Sequence, residues 1–264
     1  MLISEQSILT GLASLAEKIA ERSYAPYSGA ACGCIVLLSD GAWVPGVRVE
    51  NASFPLLIPA AMNAVTTAVA AGRGDIVAAA TNTSFGGADQ DYLAAFLPDA
   101  RFDGNIANIA RSSRAIPPIG HRLNPLIHDG SRNGIDLMGL ARSAADRAHV
   151  PESNFPVGCI LEVANGGLIP GCNVEHADWN LTLCAERNAI GTAITYGLTD
   201  WQGLHVSCIK DSTGSPCGAC RQVLVEHASN MPLVMDRGSD PPEIRTAADL
   251  LPAYFAGASL RKRR

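Results

Sequence analysis

The chain lacks a basic excess. Lys and Arg total 20 against 25 Asp and Glu, a formal net charge of -5. No stretch interleaves basic with aromatic residues, so no nucleic-acid partner is expected. Long apolar runs are missing too. None approaches the roughly 20 residues of a spanning helix, so no membrane partner is expected. Met1-Leu2-Ile3-Ser4-Glu5 has neither a positive n-region nor an uninterrupted apolar core; no secretory signal is expected there, and a cytoplasmic location is the default. Charged residues are scarce at 17% of 264, with 47% hydrophobic, which excludes a disordered chain and describes a compact, soluble one. The basic end Arg261-Lys262-Arg263-Arg264 reads as a solvated, frayed terminus. What is present is eight cysteines. Without a signal they indicate a reducing compartment and free or metal-bound thiols.

Internal similarity comes before any element assignment. Gly46-Val47-Arg48-Val49-Glu50-Asn51-Ala52 returns 125 residues later as Gly171-Cys172-Asn173-Val174-Glu175-His176-Ala177. The same shift, without gaps, sets Leu12 on Leu137, Arg22 on Arg147, Ser28 on Ser153, Gly33-Cys34-Ile35 on Gly158-Cys159-Ile160, Asn63-Ala64 on Asn188-Ala189 and Gly72 on Gly197. The chain is therefore read as two copies of one domain, residues 1–110 and 134–264. The polar, Pro- and Gly-containing stretch 111–133 is read as a linker.

Each copy reads as helix, two strands, helix, strand, helix. In the second, Leu137–Ala148 carries an apolar helical face. Val157–Val163 and Gly167–Cys172 form a hairpin around Asn165-Gly166. Cys184–Tyr196 is a helix stopped by Gly197, Leu204–Ile209 a buried strand, Cys217–Ala228 a helix and Leu233–Met235 a strand. Helices interleaved with a small mixed sheet give an α/β class with three α/β/α layers, duplicated within the chain.

The chemistry concentrates in the second copy. Cys184-Ala185-Glu186 and Pro216-Cys217-Gly218-Ala219-Cys220 supply three thiols and a carboxylate. Cys217 and Cys220, at i and i+3, share one helix face. Three protein ligands leave tetrahedral zinc one open position, and a carboxylate that is not a ligand can move protons. Cys184 starts a helix, where exposed N–H groups favour thiolate. Arg187 either offsets the thiolate charge by donating to the sulfurs or is an ordinary Arg with a carboxylate partner. Taken alone, Cys-x-x-Cys also fits a redox pair or half of a structural site closed by His205 or His227. Glu186 and the third thiol favour the open site. Cys32, Cys34, Cys159, Cys172 and Cys208 are read as core thiols. Under the 125-residue shift Cys184 meets Pro59 and Glu186 meets Ala61, and the first copy has no Pro-Cys-x-x-Cys. One zinc ion per chain, in the second domain, is expected.

The Cys-x-Glu and Pro-Cys-x-x-Cys pair is the signature of zinc nucleobase deaminases. With Ser153-Asn154-Phe155-Pro156-Val157-Gly158, Gly171 to Glu175, Arg221-Gln222-Val223-Leu224 and Leu250-Leu251-Pro252 with Phe255, the second half resembles the cytidine deaminase family. The first half resembles a degenerate copy. The resemblance implies a cytidine deaminase-like fold and a homodimer that reproduces the four-domain assembly of single-domain relatives. It implies Zn²⁺ on Cys184, Cys217 and Cys220, with Glu186 as the catalytic proton carrier. Asn173 and Glu175 would bind the ribose, Phe155 would pack on the base, and the Ala185 backbone would bond the pyrimidine. The implied reaction is hydrolytic deamination of cytidine or deoxycytidine, small-molecule nucleosides of pyrimidine salvage. Two departures stand out: His176-Ala177-Asp178-Trp179 replaces the usual Asn-Ala-Ser-Tyr, and Pro151-Glu152-Ser153 replaces Pro-Tyr-Ser, which survives as Pro26-Tyr27-Ser28. They keep open a modified cytosine nucleoside as substrate, and the degenerate copy keeps open a silent zinc-stabilised nucleoside-binding protein.

Overall fold

A computed structural model describes residues 4–97, 99–102, 109–208, 210–211, 213–238 and 241–260. The basic end 261–264 lies outside the described residues. The first half runs α1 (Glu5–Ala20), β1 (Gly33–Leu38), β2 (Trp43–Val47), α2 (Ala60–Ala70), β3 (Ile76–Thr81), α3 (Gly87–Phe96), β4 (Arg101–Phe102) and β5 (Ile109–Arg111). The second runs α4 (Leu137–Ala145), β6 (Gly158–Val163), β7 (Leu168–Cys172), α5 (Ala185–Tyr196), β8 (Trp201–Ser207), α6 (Gly218–Ala228), β9 (Pro232–Asp236), β10 (Glu243–Thr246) and α7 (Ala247–Leu250).

Two five-stranded sheets result, ordered β2-β1-β3-β5-β4 and β10-β9-β8-β6-β7. The second is mixed, because α6 carries the chain from β8 to a parallel neighbour β9. The first is wholly antiparallel: β5 returns beside β3 and β4 takes the edge. The halves therefore diverge after their sixth shared element, the helix α3 or α6.

Glycine sets the layer spacing. Gly33 and Gly46 are on neighbouring register pairs of β1 and β2, so their missing side chains face opposite sides of the sheet. A Cβ at Gly33 would collide with the Ala16 carbonyl of α1, and one at Gly46 with the Ala60 carbonyl of α2. Gly158 and Gly171, one repeat later, meet α4 at Ala141 and α5 at Ala185 in the same way. Four glycines thus let one helix approach each face closely in each half. At the second hairpin Asn165 (φ 62°) and Gly166 (φ 85°) are both left-handed, the conformation for which Asn-Gly is selected. Gly197 (φ 75°) ends α5.

The connecting stretch is pinned at both ends. Trp43 N of edge strand β2 donates to His121 O, and Leu168 N of edge strand β7 donates to His128 O. Between the sheets α2 packs on α5. At their contact the buried hydroxyls of Thr67 and Thr192, repeat counterparts, lie 2.8 Å apart. Arg22 Nη1 donates to Thr195 O, and its counterpart Arg147 Nη1 donates to Ala70 O. Equivalent residues meeting each other mark a local pseudo-two-fold axis through this seam.

Either Thr67→Val or Thr192→Val leaves one buried hydroxyl without its partner and should destabilise the chain by about 1–2 kcal/mol. The double substitution should cost less than the sum of the two. Urea unfolding of all four proteins measures the coupling, and simple additivity would remove the seam bond from the account.

Candidate metal centre and cavity

The first turns of α5 and α6 converge. Cys184 is the N-cap of α5 and Cys217 the N-cap of α6, while Cys220, one turn on, is fully buried. Cys184 Sγ lies 3.6 Å from Cys217 Sγ, and Cys217 Sγ lies 3.5 Å from Cys220 Sγ. Thiolates bound about 2.3 Å from a tetrahedral zinc would stand about 3.8 Å apart, so the donor set fits zinc. Among the described residues this is the one His/Cys/Asp/Glu group that could hold a metal ion. Neither histidine considered as a fourth ligand is available: His205 Nε2 is 2.8 Å from Glu162 Oε1, and the His227 ring lies between Tyr24 and Trp201. Cys217 is the thiol pushed down, first by its bonds with Cys184 and Cys220 and then by the N–H groups of Cys220 and Ala219. Those bonds push Cys184 and Cys220 up.

Glu186, in the first turn of α5, is buried, with Oε2 3.3 Å from Cys220 Sγ. Burial pushes its carboxyl up to about 7, against the lowering effect of a backbone N–H. Above it opens a cavity of about 430 Å³. Cys184, Ala185, Glu186 and Cys217 line one part of it; Phe155, Asn173 and Glu175 line another.

Asn173 is largely occupied. Its Oδ1 accepts from Val157 N at 2.8 Å and its Nδ2 donates to Phe155 O at 2.9 Å, so it holds the segment that carries Phe155. Glu175 Oε2 accepts from Glu152 N and Ser153 N, and Oε1 from the Ser153 hydroxyl. A carboxylate has about four acceptor sites, which leaves one. In the first half Glu50 is cradled alike by Tyr27 N, Ser28 N and the Ser28 hydroxyl, but Arg48 Nε, at the position of Asn173, takes the fourth site on Oε1 at 3.1 Å. The corresponding first-half cavity, about 400 Å³, is lined by Arg48, Pro59 and Ala61 where the second has Asn173, Cys184 and Glu186.

Arg187 makes no hydrogen bond to sulfur among the described residues. Its Nη2 donates to Leu56 O across the seam at 3.1 Å. Of the three unusual residues after Glu175, only Trp179 lines the cavity. The His176 ring stacks on Tyr92 of α3 at 5.7 Å, and Asp178 Oδ1 caps the turn at Asn180 N. Cys208, read as core, is buried and also forms cavity wall, as do Asp211 and Thr213–Ser215 of the β8–α6 connection. Their signal was position: a loop running directly into Pro216-Cys217 must lie beside the thiols.

Residues 132–235 match the family model described as the cytidine and deoxycytidylate deaminase zinc-binding region, and residues 3–81 match a second model of the same description. A cytidine deaminase of Sporosarcina psychrophila is 37% identical over 125 residues, 47% of this chain and 92% of that protein. The chain belongs to the cytidine deaminase family. A second cytidine deaminase, from Mycobacterium tuberculosis, is 40% identical over 134 residues, 48% of this chain and 93% of the relative. Among solved structures, the cytidine deaminase of Burkholderia pseudomallei is 36% identical over 45% of this chain and 96% of its own, with a TM-score of 0.42.

The first half also reaches the elements that carry the family's zinc motif. Glu226 of α6 accepts from the Tyr27 hydroxyl at 2.7 Å, the Tyr24 hydroxyl at 3.2 Å and Ala52 N at 2.8 Å. Glu226→Ala removes the acceptor those three donors share and should lower stability by about 2 kcal/mol. Because α6 begins with Cys217, zinc should also be released at lower chelator concentration. Chelator competition on the folded variant measures this, and unchanged zinc retention would show that α6 is positioned without the first half.

Proposed function

We propose that the second half catalyses hydrolytic deamination of free cytidine and deoxycytidine to uridine and deoxyuridine plus ammonia, a reaction of pyrimidine salvage, in the cytoplasm. The observation that carries this is the buried Glu186 carboxyl beside a three-thiol cluster, at one cavity with Glu175. A volume of about 430 Å³ is that of a small-molecule site.

Cys184, Cys217 and Cys220 would hold one zinc ion per chain. Zinc bound there supplies the acidity that makes a water nucleophilic near neutral pH. Glu186, held near 7 by burial, both accepts and returns a proton at that pH. It takes one proton of the attacking water and delivers it to N3 of the pyrimidine; it then takes the proton of the hydroxyl now on C4 and delivers it to the amine, so that the C4–N bond breaks as the C4 carbonyl forms and ammonia leaves. Phe155 packs against the base and the Ala185 backbone, at the open N-terminus of α5, bonds it. Glu175 uses its remaining acceptor site for a sugar hydroxyl, with Asn173 fixing the wall beside it. With His176 turned to Tyr92 and Asp178 capping a turn, a modified cytosine nucleoside would be selected through Trp179 alone of the three.

Phe54 and Trp179 are repeat counterparts, 85% and 63% exposed. Two large exposed aromatics related by the pseudo-two-fold support a homodimer in which a second chain covers both. Sedimentation of the zinc-loaded protein should give twice the chain mass, and a monomer at micromolar concentration would contradict the assembly.

Ammonia release from cytidine should be readily measured for the native protein. Glu186→Ala should lower kcat by roughly 10²–10⁴ while zinc stays bound. Full activity in that variant would sink the proton-carrier role, and tight nucleoside binding by the native protein without ammonia release would favour the silent binder.

A further inference from the structure

His176 stands where the first half has Asn51, and the two side chains make the same bond. Asn51 Oδ1 accepts from Ser53 N at 2.9 Å, and His176 Nδ1 accepts from Asp178 N at 3.0 Å. Each bond leads into a single helical turn, Phe54–Leu56 in the first half and Trp179–Leu181 in the second. The turns match as well: Leu56 N donates to Ser53 O and Leu181 N to Asp178 O, both at 2.9 Å. In the second half the turn carries Trp179, which forms wall of the cavity above Glu186.

The two acceptors differ in one respect. An amide oxygen accepts at any ordinary pH, whereas an imidazole nitrogen accepts only while it carries no proton. A backbone N–H can only donate, so the bond from Asp178 N fixes Nδ1 as bare. Nε2, 3.4 Å from Asp91 O, then carries the ring proton and faces a group that can only accept. One neutral tautomer satisfies both partners. The ring is also stacked on Tyr92 of α3 at 5.7 Å, so the first half sets its orientation. The titratable groups around it are Asp91 and Tyr92 on α3, Glu175 and Asp178 on its own segment, and His149, whose ring packs on Phe96 beside Tyr92.

We propose that His176 is a positioning residue for nucleoside binding: its neutral imidazole replaces an asparagine amide as the acceptor that sets the Trp179 turn. This deepens the deaminase reading and rests on it. A proton on Nδ1 puts a donor against the Asp178 N–H, breaks the bond and frees the turn. Nucleoside binding therefore weakens as pH falls, whereas the same turn built on asparagine is indifferent to pH.

The test measures KM and kcat for cytidine with zinc-loaded protein from about pH 8 to about pH 5, the span in which imidazoles titrate. His176→Phe keeps a ring against Tyr92 and removes the acceptor. At the upper pH its KM should rise about three- to tenfold, the equivalent of one hydrogen bond, with kcat little changed. His176→Asn restores the acceptor of the first half and should return KM close to the native value. As pH falls the native KM should climb by a similar factor while that of His176→Asn does not. The ratio of the two cancels the titration of Glu186 and of every other group common to both proteins. In a Trp179→Ala background His176→Phe should have no further effect on KM, because both act through one wall. A native KM in His176→Phe, failure of asparagine to restore it, a ratio flat with pH, or additive effects with Trp179→Ala would each overturn the proposal and leave the deaminase reading standing. The ratio decides the matter if His176→Phe does not fold. Absence of ammonia release from cytidine and deoxycytidine by the native protein would instead sink the reading and the proposal with it.

Discussion

The contact on which the rest depends is α2 against α5. It is made of residues the two halves share: Thr67 meets Thr192, and Arg22 and Arg147 make the same carbonyl contact in opposite directions. Small residues allow it. A Cβ at Gly191 would press on the Asn63 amide, and Ala64, Ala68, Ala189 and Ala193 are fully buried nearby. Asn63 Nδ2 then crosses the seam to Gly191 O and the Thr195 hydroxyl. One hydrophobic cluster runs through both sheets as a result, so α5, which carries Cys184 and Glu186, is packed from both halves of the chain.

That constraint explains what the first half could lose and what it keeps. Pro59 and Ala61 stand where the second half has Cys184 and Glu186, and Pro59 O still accepts from Asn63 N at 2.9 Å, so α2 starts and delivers Asn63 to the seam without a thiol or a carboxylate. Arg48 then fills the last acceptor of Glu50, which removes a buried carboxylate lone pair that would otherwise lack a partner. The seam-facing side is retained, along with Tyr24, Tyr27 and Ala52, which hold Glu226, and Tyr92, which receives His176. The degenerate half acts as scaffold for α6 and for the segment after Glu175.

Much of this was legible in the sequence, and what was legible is local. The repeat, the Asn165-Gly166 turn, the stop at Gly197 and the thiol positions at two helix starts follow from spacing and backbone chemistry within a few residues. What was not legible shares a cause. Arg187 turns to Leu56 and His176 to Tyr92 because partners 131 and about 85 residues away lie across the seam, and no periodicity encodes that. The first sheet's antiparallel order was hidden for a related reason: α3 and α6 look alike as helices, and only the strand pairing after each distinguishes β5 beside β3 from β9 beside β8. Cys208 was placed correctly as buried, but burial against a cavity and burial in a core have the same sequence appearance.

The displacement of Arg187 bears on how three thiolates are tolerated. A guanidinium donating to sulfur would have offset their charge, yet this one is bonded to a carbonyl of the other half. The helix ends also favour negative charge on the sulfurs. Cys184 and Cys217 are N-caps of α5 and α6, so two positive dipole ends point at the same sulfurs, and the N–H groups of Ala219 and Cys220 favour the Cys217 thiolate directly. The first half has the same convergence at α2 and α3, where Pro59 and Gly86 are the N-caps. There Asp89 bonds Gly86 N at 3.2 Å and supplies negative charge to the α3 end. Paired helix starts that favour anions are therefore a property of the repeated scaffold. The side chains placed on them decide whether that field stabilises thiolates or a carboxylate.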